Sequence, residues 1–150
     1  MLLNCLSLRL RSRRGFTLLE LLVVMVILVL LASVVTVAVT KRVEEARHAK
    51  AIADIESIGN ALDQFQVHCN RYPLTEEGLE ALRVKPSADD LLNWNGPYIK
   101  KAVPADPWNR AYVYECPGRQ NPDSYDLYSL GRDGREGGTG TDADITNWDQ

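Results

Sequence analysis

Glu20 is the residue whose position in the sequence points most directly to chemistry. It is the sole acidic residue in an apolar run that extends from Phe16 to Val39. A charged side chain near the centre of a membrane helix costs about 2.5–3.5 kcal/mol on insertion scales, so it usually has a partner. Cleavage after Gly15 would create a new amine on Phe16, about one helical turn away. The amine of a neighbouring subunit could then neutralise Glu20 and set the stagger between subunits.

Acidic residues are concentrated near the C-terminus. Residues 130–145 contain five glycines, three aspartates and one glutamate. Calcium binds about six to eight oxygens from carboxylates, carbonyls and water, and a glycine-rich loop can direct carbonyls inward between its acids. Nitrogen and sulfur ligands are absent from this segment, which disfavours zinc and copper. The spacing is not that of an EF-hand, and composition alone leaves a solvated acidic tail open as the alternative.

The apolar run around Glu20 is long enough to cross a bilayer. Its 24 residues would extend about 36 Å as a helix, against about 30 Å of hydrocarbon. Four arginines precede the run, so the positive-inside rule places the N-terminus in the cytoplasm and everything after Thr40 on the far side. The run is too long for a secretory signal peptide, whereas hydropathy alone does not exclude a plain single-pass anchor.

Composition predicts one acidic head behind this segment. The 150 residues leave room for a single core. Without residues 1–15 the chain carries 13 basic and 20 acidic residues, a net charge of −7. Nucleic-acid binders need a clustered basic face, so no nucleic acid is expected as a partner. No Ser, Cys or His constellation suggests a nucleophile with its base, so the chain is not predicted to be an enzyme.

The three cysteines leave the redox state of the head open. Cleavage after Gly15 would remove Cys5 together with the rest of residues 1–15. Cys69 and Cys116 would remain as an even pair in an exported head, where a disulfide is permitted. Sequence separation does not give the distance between the two thiols. Bonded and free cysteines are therefore both compatible with the sequence.

The elements that must position these groups are a long helix and a small sheet. Beyond Thr40 apolar residues recur at steps of three or four, which predicts an amphipathic helix with one buried stripe, ending near Arg71-Tyr72-Pro73. The stripe consists of Ile52, Ile55, Ile58, Leu62, Phe65 and Cys69. Gly59, within the stripe, costs about 1 kcal/mol relative to Ala unless close packing requires it.

The predicted head consists of short elements. Thr75 is expected to cap a helix through Arg83, and a second helical turn is expected at 88–94. Residues 111–115 and 124–130 are rich in Tyr and Val and are separated by turn residues, which predicts a β-hairpin. Its four tyrosines are interpreted as half-buried sheet residues rather than a stacking platform for bases or sugars.

Residues 13–20, with the sequence Arg-Arg-Gly-Phe-Thr-Leu-Leu-Glu, resemble the processing signal of type IV pilins and type II secretion pseudopilins. By this resemblance a membrane prepilin peptidase cuts between Gly15 and Phe16 and methylates the Phe16 amine, and Glu20 is the acid of the assembly register. Members of this class often carry a proline at the twenty-second mature position, where this chain has Val37. Local melting of the helix on assembly has correspondingly less support.

Ordered motifs in the head narrow the resemblance to the major pseudopilin of type II secretion. They are TEEGLEAL at 75–82, GPYI at 96–99, DPW at 106–108, YDLYS at 125–129, DG at 133–134 and ADI at 143–145. The resemblance implies a calcium ion in the C-terminal loop. The implied ligands are the side chains of Asp133, Asp142 and Asp144 and the carbonyls of Leu130 and Thr141. Trp148 would then dock on the head and close the loop.

We therefore predict an α+β, pilin-like fold in which a long N-terminal helix packs on a small antiparallel sheet with a C-terminal calcium-type loop. The predicted parts are a leader removed on processing (1–15), a transmembrane and filament-core helix (16–40), an amphipathic helix (41–71) and a periplasmic head (72–150).

The expected function is that of a structural subunit which polymerises from the inner membrane into a periplasmic pseudopilus and drives protein export through the outer membrane. The resemblance implies as partners the chain itself, minor pseudopilins, the prepilin peptidase, the inner-membrane assembly platform and membrane lipid. The alternatives are a type IV pilin for adhesion, motility or DNA uptake, and a membrane-anchored calcium-dependent binding module.

Overall fold

The computed structural model describes residues 15–149, without the side chains of 33–38. The predicted leader, apart from Gly15, lies outside the described residues, as does Cys5. The chain divides into two units, Met1–Thr40 and Lys41–Gln150. The regular elements are a helix α1 (Leu18–Cys69), a first 3-10 helix (Leu79–Leu82), strands β1 (Val113–Glu115) and β2 (Asp126–Ser129), a second 3-10 helix (Gly140–Asp142) and strand β3 (Ile145–Thr146).

In the first unit, α1 begins after a side-chain cap. The Thr17 hydroxyl oxygen accepts the backbone N–H of Glu20 at 3.1 Å, and the Thr17 carbonyl accepts the N–H of Leu21 at 3.2 Å. Thr17 is thus the N-cap, which satisfies a donor that would otherwise lack a partner in the first turn. Glu20 lies in that turn, where the helix dipole favours a negative charge.

The predicted transmembrane segment, 16–40, is described only in part. Between Leu18 and Leu31 its large apolar side chains are exposed. In the part of the chain that the structure describes, no helix has a stretch both long and apolar enough to cross a membrane. The side chain of Val37 lies outside the described residues, and the predicted span stays a prediction.

In the second unit, α1 buries the predicted apolar stripe. Four of its members are at most 4 % exposed, namely Ile55, Ile58, Leu62 and Phe65. Ile52 and Cys69 are partly buried at the two ends of the stripe. The helix ends at Cys69, two residues before the predicted end, because Asn70 has a left-handed φ of 57°. The stripe itself is confirmed as core.

The sheet is antiparallel, with the strand order β1-β2-β3. Val113 pairs with Tyr128, and Tyr128 pairs on its other side with Thr146. The predicted hairpin is confirmed with shorter strands, whereas β3 was not predicted. Three of the four tyrosines discussed above lie in the core and the fourth is half-buried: Tyr112, Tyr114, Tyr125 and Tyr128.

Close packing between helix and sheet explains Gly59. A Cβ at this position would lie 3.0 Å from the hydroxyl oxygen of Tyr125. Tyr125 also contacts Tyr72 edge-on, with ring centroids 4.9 Å apart. The missing side chain therefore lets the sheet approach α1 closely.

The prediction of a helix from Thr75 to Arg83 is wrong. The Thr75 hydroxyl donates to the Cys116 carbonyl at 3.0 Å and accepts the Cys116 N–H at 2.9 Å, so it ties this segment to the end of β1. Gly78 has a φ of 59°, which interrupts a right-handed helix and leaves only the 3-10 turn at Leu79–Leu82. The second predicted turn, at 88–94, consists of isolated turns.

Candidate functional site

A buried hydrogen-bond cluster fixes the beginning of the C-terminal loop to the sheet. Asp106 is only 3 % exposed. Its Oδ1 accepts the backbone N–H groups of Trp108 and Arg110 at 3.0 and 2.8 Å, and its Oδ2 accepts the hydroxyl of Ser129 at 2.6 Å. The Ser129 oxygen in turn accepts the N–H of Gly131 at 3.2 Å. The Asp-Pro-Trp motif therefore holds the last residue of β2 and the first turn of the loop together.

Arg110 adds a second attachment from its side chain. Its two terminal nitrogens donate to the carbonyls of Gly131 at 2.6 Å and Arg132 at 3.1 Å. A guanidinium presents its donors in a rigid planar fork, so two bonds fix the direction of both carbonyls. Both carbonyls are thus engaged by a positive charge.

Within the described part of the chain, Asp144 leaves one of its two carboxylate oxygens unused. Its Oδ2 accepts the N–H of Gly137 at 2.8 Å. Its Oδ1 is buried and has no hydrogen-bond partner among the described residues. A buried acceptor without a partner costs about 1–3 kcal/mol, which a bound cation would offset.

The backbone beside Asp144 is packed around a glycine. Gly138 has a φ of 95°, and a Cβ there would lie 2.3 Å from the carbonyl oxygen of Asp142. No other residue fits without displacing that carbonyl. The oxygen-only composition and the partnerless oxygen of Asp144 both fit a hard cation such as calcium.

The other two acidic side chains are engaged elsewhere. The carboxylate of Asp142 contacts the Arg132 guanidinium, with Oδ1 to Nε at 2.8 Å and Oδ2 to Nη2 at 3.4 Å. Asp133 accepts the N–H of Arg135 at 3.1 Å. Between residues 15 and 149 the structure brings no three His, Cys, Asp or Glu side chains together as a metal cluster. Asp144 fits a calcium ion as it stands, and Asp142 does not in this orientation.

The two predicted carbonyl ligands lie at opposite ends of the loop. Leu130 accepts the N–H of Gly134 at 3.2 Å through its carbonyl. Thr141 belongs to the second 3-10 helix and lines a cavity of about 310 Å³ with Trp108 and the first turns of α1 in the second unit. Beyond the loop, Trp148 packs edge-on against Tyr128 with ring centroids 5.5 Å apart, as expected.

Cys69 and Cys116 are free, partly buried thiols. Desolvation raises the pKa of both. The Cys116 thiol donates to the carbonyl of Ser124 at 3.5 Å, whereas Cys69 lies at the end of α1 beside Tyr98. The disulfide that the sequence left open is not formed in this structure.

The predicted processing site precedes α1 and is accessible. Gly15, Phe16 and Thr17 are outside regular structure, and Phe16 is 78 % exposed. A Cβ on Gly15 would meet no atom within 4 Å. The bond between Gly15 and Phe16 is therefore exposed and lies outside the helix.

Sequence reasoning missed several residues that shape these sites. The cap at Thr17 could have been found, because Thr-x-x-Glu before an apolar run is a helix-start signature. The role of Asp106 has a weaker signal, since Asp often bonds to backbone N–H groups two residues further on. Arg110 and Arg132 have no local signal at all.

Comparisons with known families agree with the fold and the motifs. Residues 38–148 match the family described as "Type II secretion system (T2SS), protein G", and residues 10–36 match the "Prokaryotic N-terminal methylation motif". The type II secretion system core protein G of Pseudomonas aeruginosa is 46 % identical over 140 residues, which cover 93 % of this chain and 97 % of that protein. The protein of the same name from Escherichia coli K12 is 44 % identical, over 91 % of this chain and 92 % of its own.

One solved structure extends the comparison to three dimensions. It is the crystal structure of the major pseudopilin from the type 2 secretion system of enterohaemorrhagic Escherichia coli, with a TM-score of 0.60 and 33 % sequence identity. The superposition covers 73 % of this chain and 92 % of that one. Sequence, motif and fold agree, and the chain belongs to the protein G family of type II secretion systems, the family of the major pseudopilin.

Proposed function

We propose that this chain is a structural subunit that polymerises with copies of itself into a periplasmic pseudopilus and drives protein export through the outer membrane by type II secretion. The observation that carries the proposal is the match to protein G over residues 38–148. The core of helix and sheet, which resembles the major pseudopilin structure, supports it. The partners proposed beside the chain itself are minor pseudopilins and the inner-membrane assembly platform.

The N-terminal part of the proposal concerns processing and anchoring. A prepilin peptidase cleaves between Gly15 and Phe16 and methylates the new amine, and the apolar residues 16–40 hold the subunit in the inner membrane with the head in the periplasm. The methylation motif over residues 10–36 and the exposed Phe16 support this order of events. Glu20 then pairs with the amine of a neighbouring subunit and sets the register of the filament.

The proposal is tested with Glu20→Val in cells that express the secretion system. We expect leader cleavage to be retained and cross-linked oligomers and export to be largely lost, because the substitution eases insertion and removes the registering charge. Mass spectrometry of the mature chain reports cleavage independently of assembly, and the expected mass is that of a chain that begins with a methylated Phe16.

Glu56→Val is the matched control, because it makes the same change at an exposed position of α1 in the head. Wild-type levels of oligomers and export in Glu20→Val would contradict the assigned role of Glu20. An unprocessed chain with an intact leader would contradict the processing step instead.

The C-terminal part of the proposal is a calcium ion that stabilises the loop. Asp144 would hold it, with Asp133, Asp142 and the carbonyls of Leu130 and Thr141 as further ligands once their side chains and backbone turn toward the ion. A calcium ion would supply the positive charge that the buried Asp144 oxygen lacks, and that unpartnered oxygen supports the proposal. The hydrogen bonds from Asp106 and Arg110 hold the start of the loop on the sheet.

A further inference from the structure

The ion pair between Arg132 and Asp142 distinguishes this loop from a simple acidic cage. Both oxygens of Asp142 face one guanidinium, at 2.8 and 3.4 Å. Half of the Arg132 side chain and 37 % of the Asp142 side chain are exposed, so the pair lies at the surface of the loop. The position that a cation would take at Asp142 is thus held by a positive charge of the chain itself.

The backbone of Arg132 is anchored separately from its side chain. Its carbonyl accepts a bond from Arg110 at 3.1 Å, and Gly131 beside it is held by both Arg110 and Ser129. The guanidinium of Arg132 can therefore leave Asp142 without releasing this part of the loop. Asp144 has no comparable competitor, since its buried Oδ1 lacks a partner among residues 15–149.

We propose that Arg132 competes with the bound cation for Asp142 and thereby lowers the calcium affinity of the loop. This inference rests on the proposed calcium site. Asp144 would hold the ion with an oxygen that is already available, whereas Asp142 would become a ligand only when Arg132 turns away into solvent. Arg132 is thus a residue that sets affinity without touching the metal.

The size of the effect follows from the exposure of the pair. Ion pairs at exposed positions change an equilibrium by about two- to fivefold. Because the guanidinium must leave before Asp142 can bind, removal of Arg132 should tighten calcium binding by about that factor. The same substitution should slightly destabilise the metal-free head, since the ion pair is then lost. Opposite signs in the two states distinguish competition from a general structural defect.

The first experiment measures calcium binding to the full chain in detergent micelles by isothermal titration calorimetry. Arg132→Gln should lower the calcium Kd by about two- to fivefold. Arg135→Gln is the matched control, because it removes the same charge from the same loop while its backbone bond to Asp133 remains. An equal gain in both variants would mean that charge alone is responsible and would overturn the competition. Unchanged affinity in Arg132→Gln would overturn it as well.

The second experiment is independent of calcium. Thermal unfolding in chelator is compared for Arg132→Gln, Asp142→Asn and the double variant. A competitor that holds Asp142 must show coupling, so the two single effects should not add. Additive effects would overturn the inference, whatever the metal does.

The two experiments also separate this inference from the proposed function. Calcium binding by the wild type with no gain in Arg132→Gln would overturn the inference and leave the calcium site standing. Non-additive effects of Arg132→Gln and Asp142→Asn in chelator, together with no calcium binding by the wild type, would overturn the calcium site. The ion pair between Arg132 and Asp142 would then have a structural role only.

Discussion

The helix-sheet core and the C-terminal loop are stabilised by opposite kinds of interaction. The core joins apolar side chains of α1 to residues such as Leu127 and Ile145 of the sheet. The loop is held by carboxylates, guanidinium groups and backbone carbonyls. Apolar burial is non-directional and needs no counter-ion, whereas charged groups depend on orientation and on competing ions. The two regions should therefore respond to different perturbations.

The largest expected effect comes from the core. Phe65 is fully buried and packs against Tyr98 with ring centroids 5.6 Å apart. Phe65→Ala should lower the free energy of unfolding by about 3–5 kcal/mol through lost burial and a residual cavity. Urea denaturation followed by circular dichroism should give the same loss in calcium and in chelator.

Val67→Ala provides the control for this substitution. Val67 lies two residues further along α1 and is 79 % exposed. Its truncation should change stability by less than about 0.5 kcal/mol. A loss in Phe65→Ala that depends on calcium would contradict the separation between core and loop.

Calcium bound in the loop should produce the next largest effect. A ligand that binds only the folded state stabilises it by about 2.7 kcal/mol at a hundredfold excess over Kd. Thermal unfolding of the fragment from Lys41 onward should therefore shift upward with calcium, and less with magnesium, which demands tight octahedral geometry. Asp144→Ala and Asp133→Ala should each remove most of the shift. A wild-type melting temperature indifferent to calcium would remove the metal from the loop.

The smallest effect is expected at a cluster of charged groups in the head, outside the C-terminal loop. Arg71 donates two bonds to Glu77, at 2.7 and 2.8 Å, and the N–H of Leu74 donates a third at 2.8 Å. The Arg71 guanidinium, and then the Leu74 bond, lower the pKa of Glu77 below its ordinary value of 4.5. Because the folded-state pKa is depressed, this stabilisation is present above the ordinary pKa and is lost as pH falls through the folded-state value.

Glu77→Gln should cost about 1.5 kcal/mol at neutral pH and should weaken the loss of stability on acidification. Melting temperatures measured between neutral pH and about pH 3 would show this as a flatter profile than that of the wild type. Glu80→Gln is the control, because Glu80 pairs with Arg83 on the exposed surface. Identical pH profiles for wild type and Glu77→Gln would contradict the role of Arg71.

The core could be predicted from the sequence because periodicity carries its information. The stripe from Ile55 to Phe65 needs only a helical repeat, and the tyrosine-rich strands need only β propensity and a turn between them. Thr75 shows where this reasoning fails. A hydroxyl can cap a helix or bond to a distant backbone, and only the position of Cys116 decides between the two.

The loop could be predicted only as a composition. Its glycines and aspartates indicate an oxygen-rich site, and the calcium ion there stays a prediction. The structure adds that one oxygen of Asp144 is buried without a hydrogen-bond partner among the described residues. Which carboxylate of the loop forms an ion pair with an arginine depends on side-chain directions that no local sequence pattern encodes. Strand β3 was not predicted for a related reason, because a strand of two residues is too short to show an alternation of apolar and polar side chains.

That short strand covers an edge of the sheet. Beyond Thr146, Asn147 acts like a further strand residue: its side-chain oxygen accepts the Leu127 N–H at 3.0 Å, and its own N–H donates to the Leu127 carbonyl at 3.1 Å. Its amide nitrogen also donates to the Tyr125 carbonyl at 3.1 Å. A chain that lost these last residues would expose the outer side of β2 as an open edge, which is a template for pairing with another strand. In a subunit that polymerises in an ordered way, residues 145–147 thus limit uncontrolled aggregation through the edge of β2.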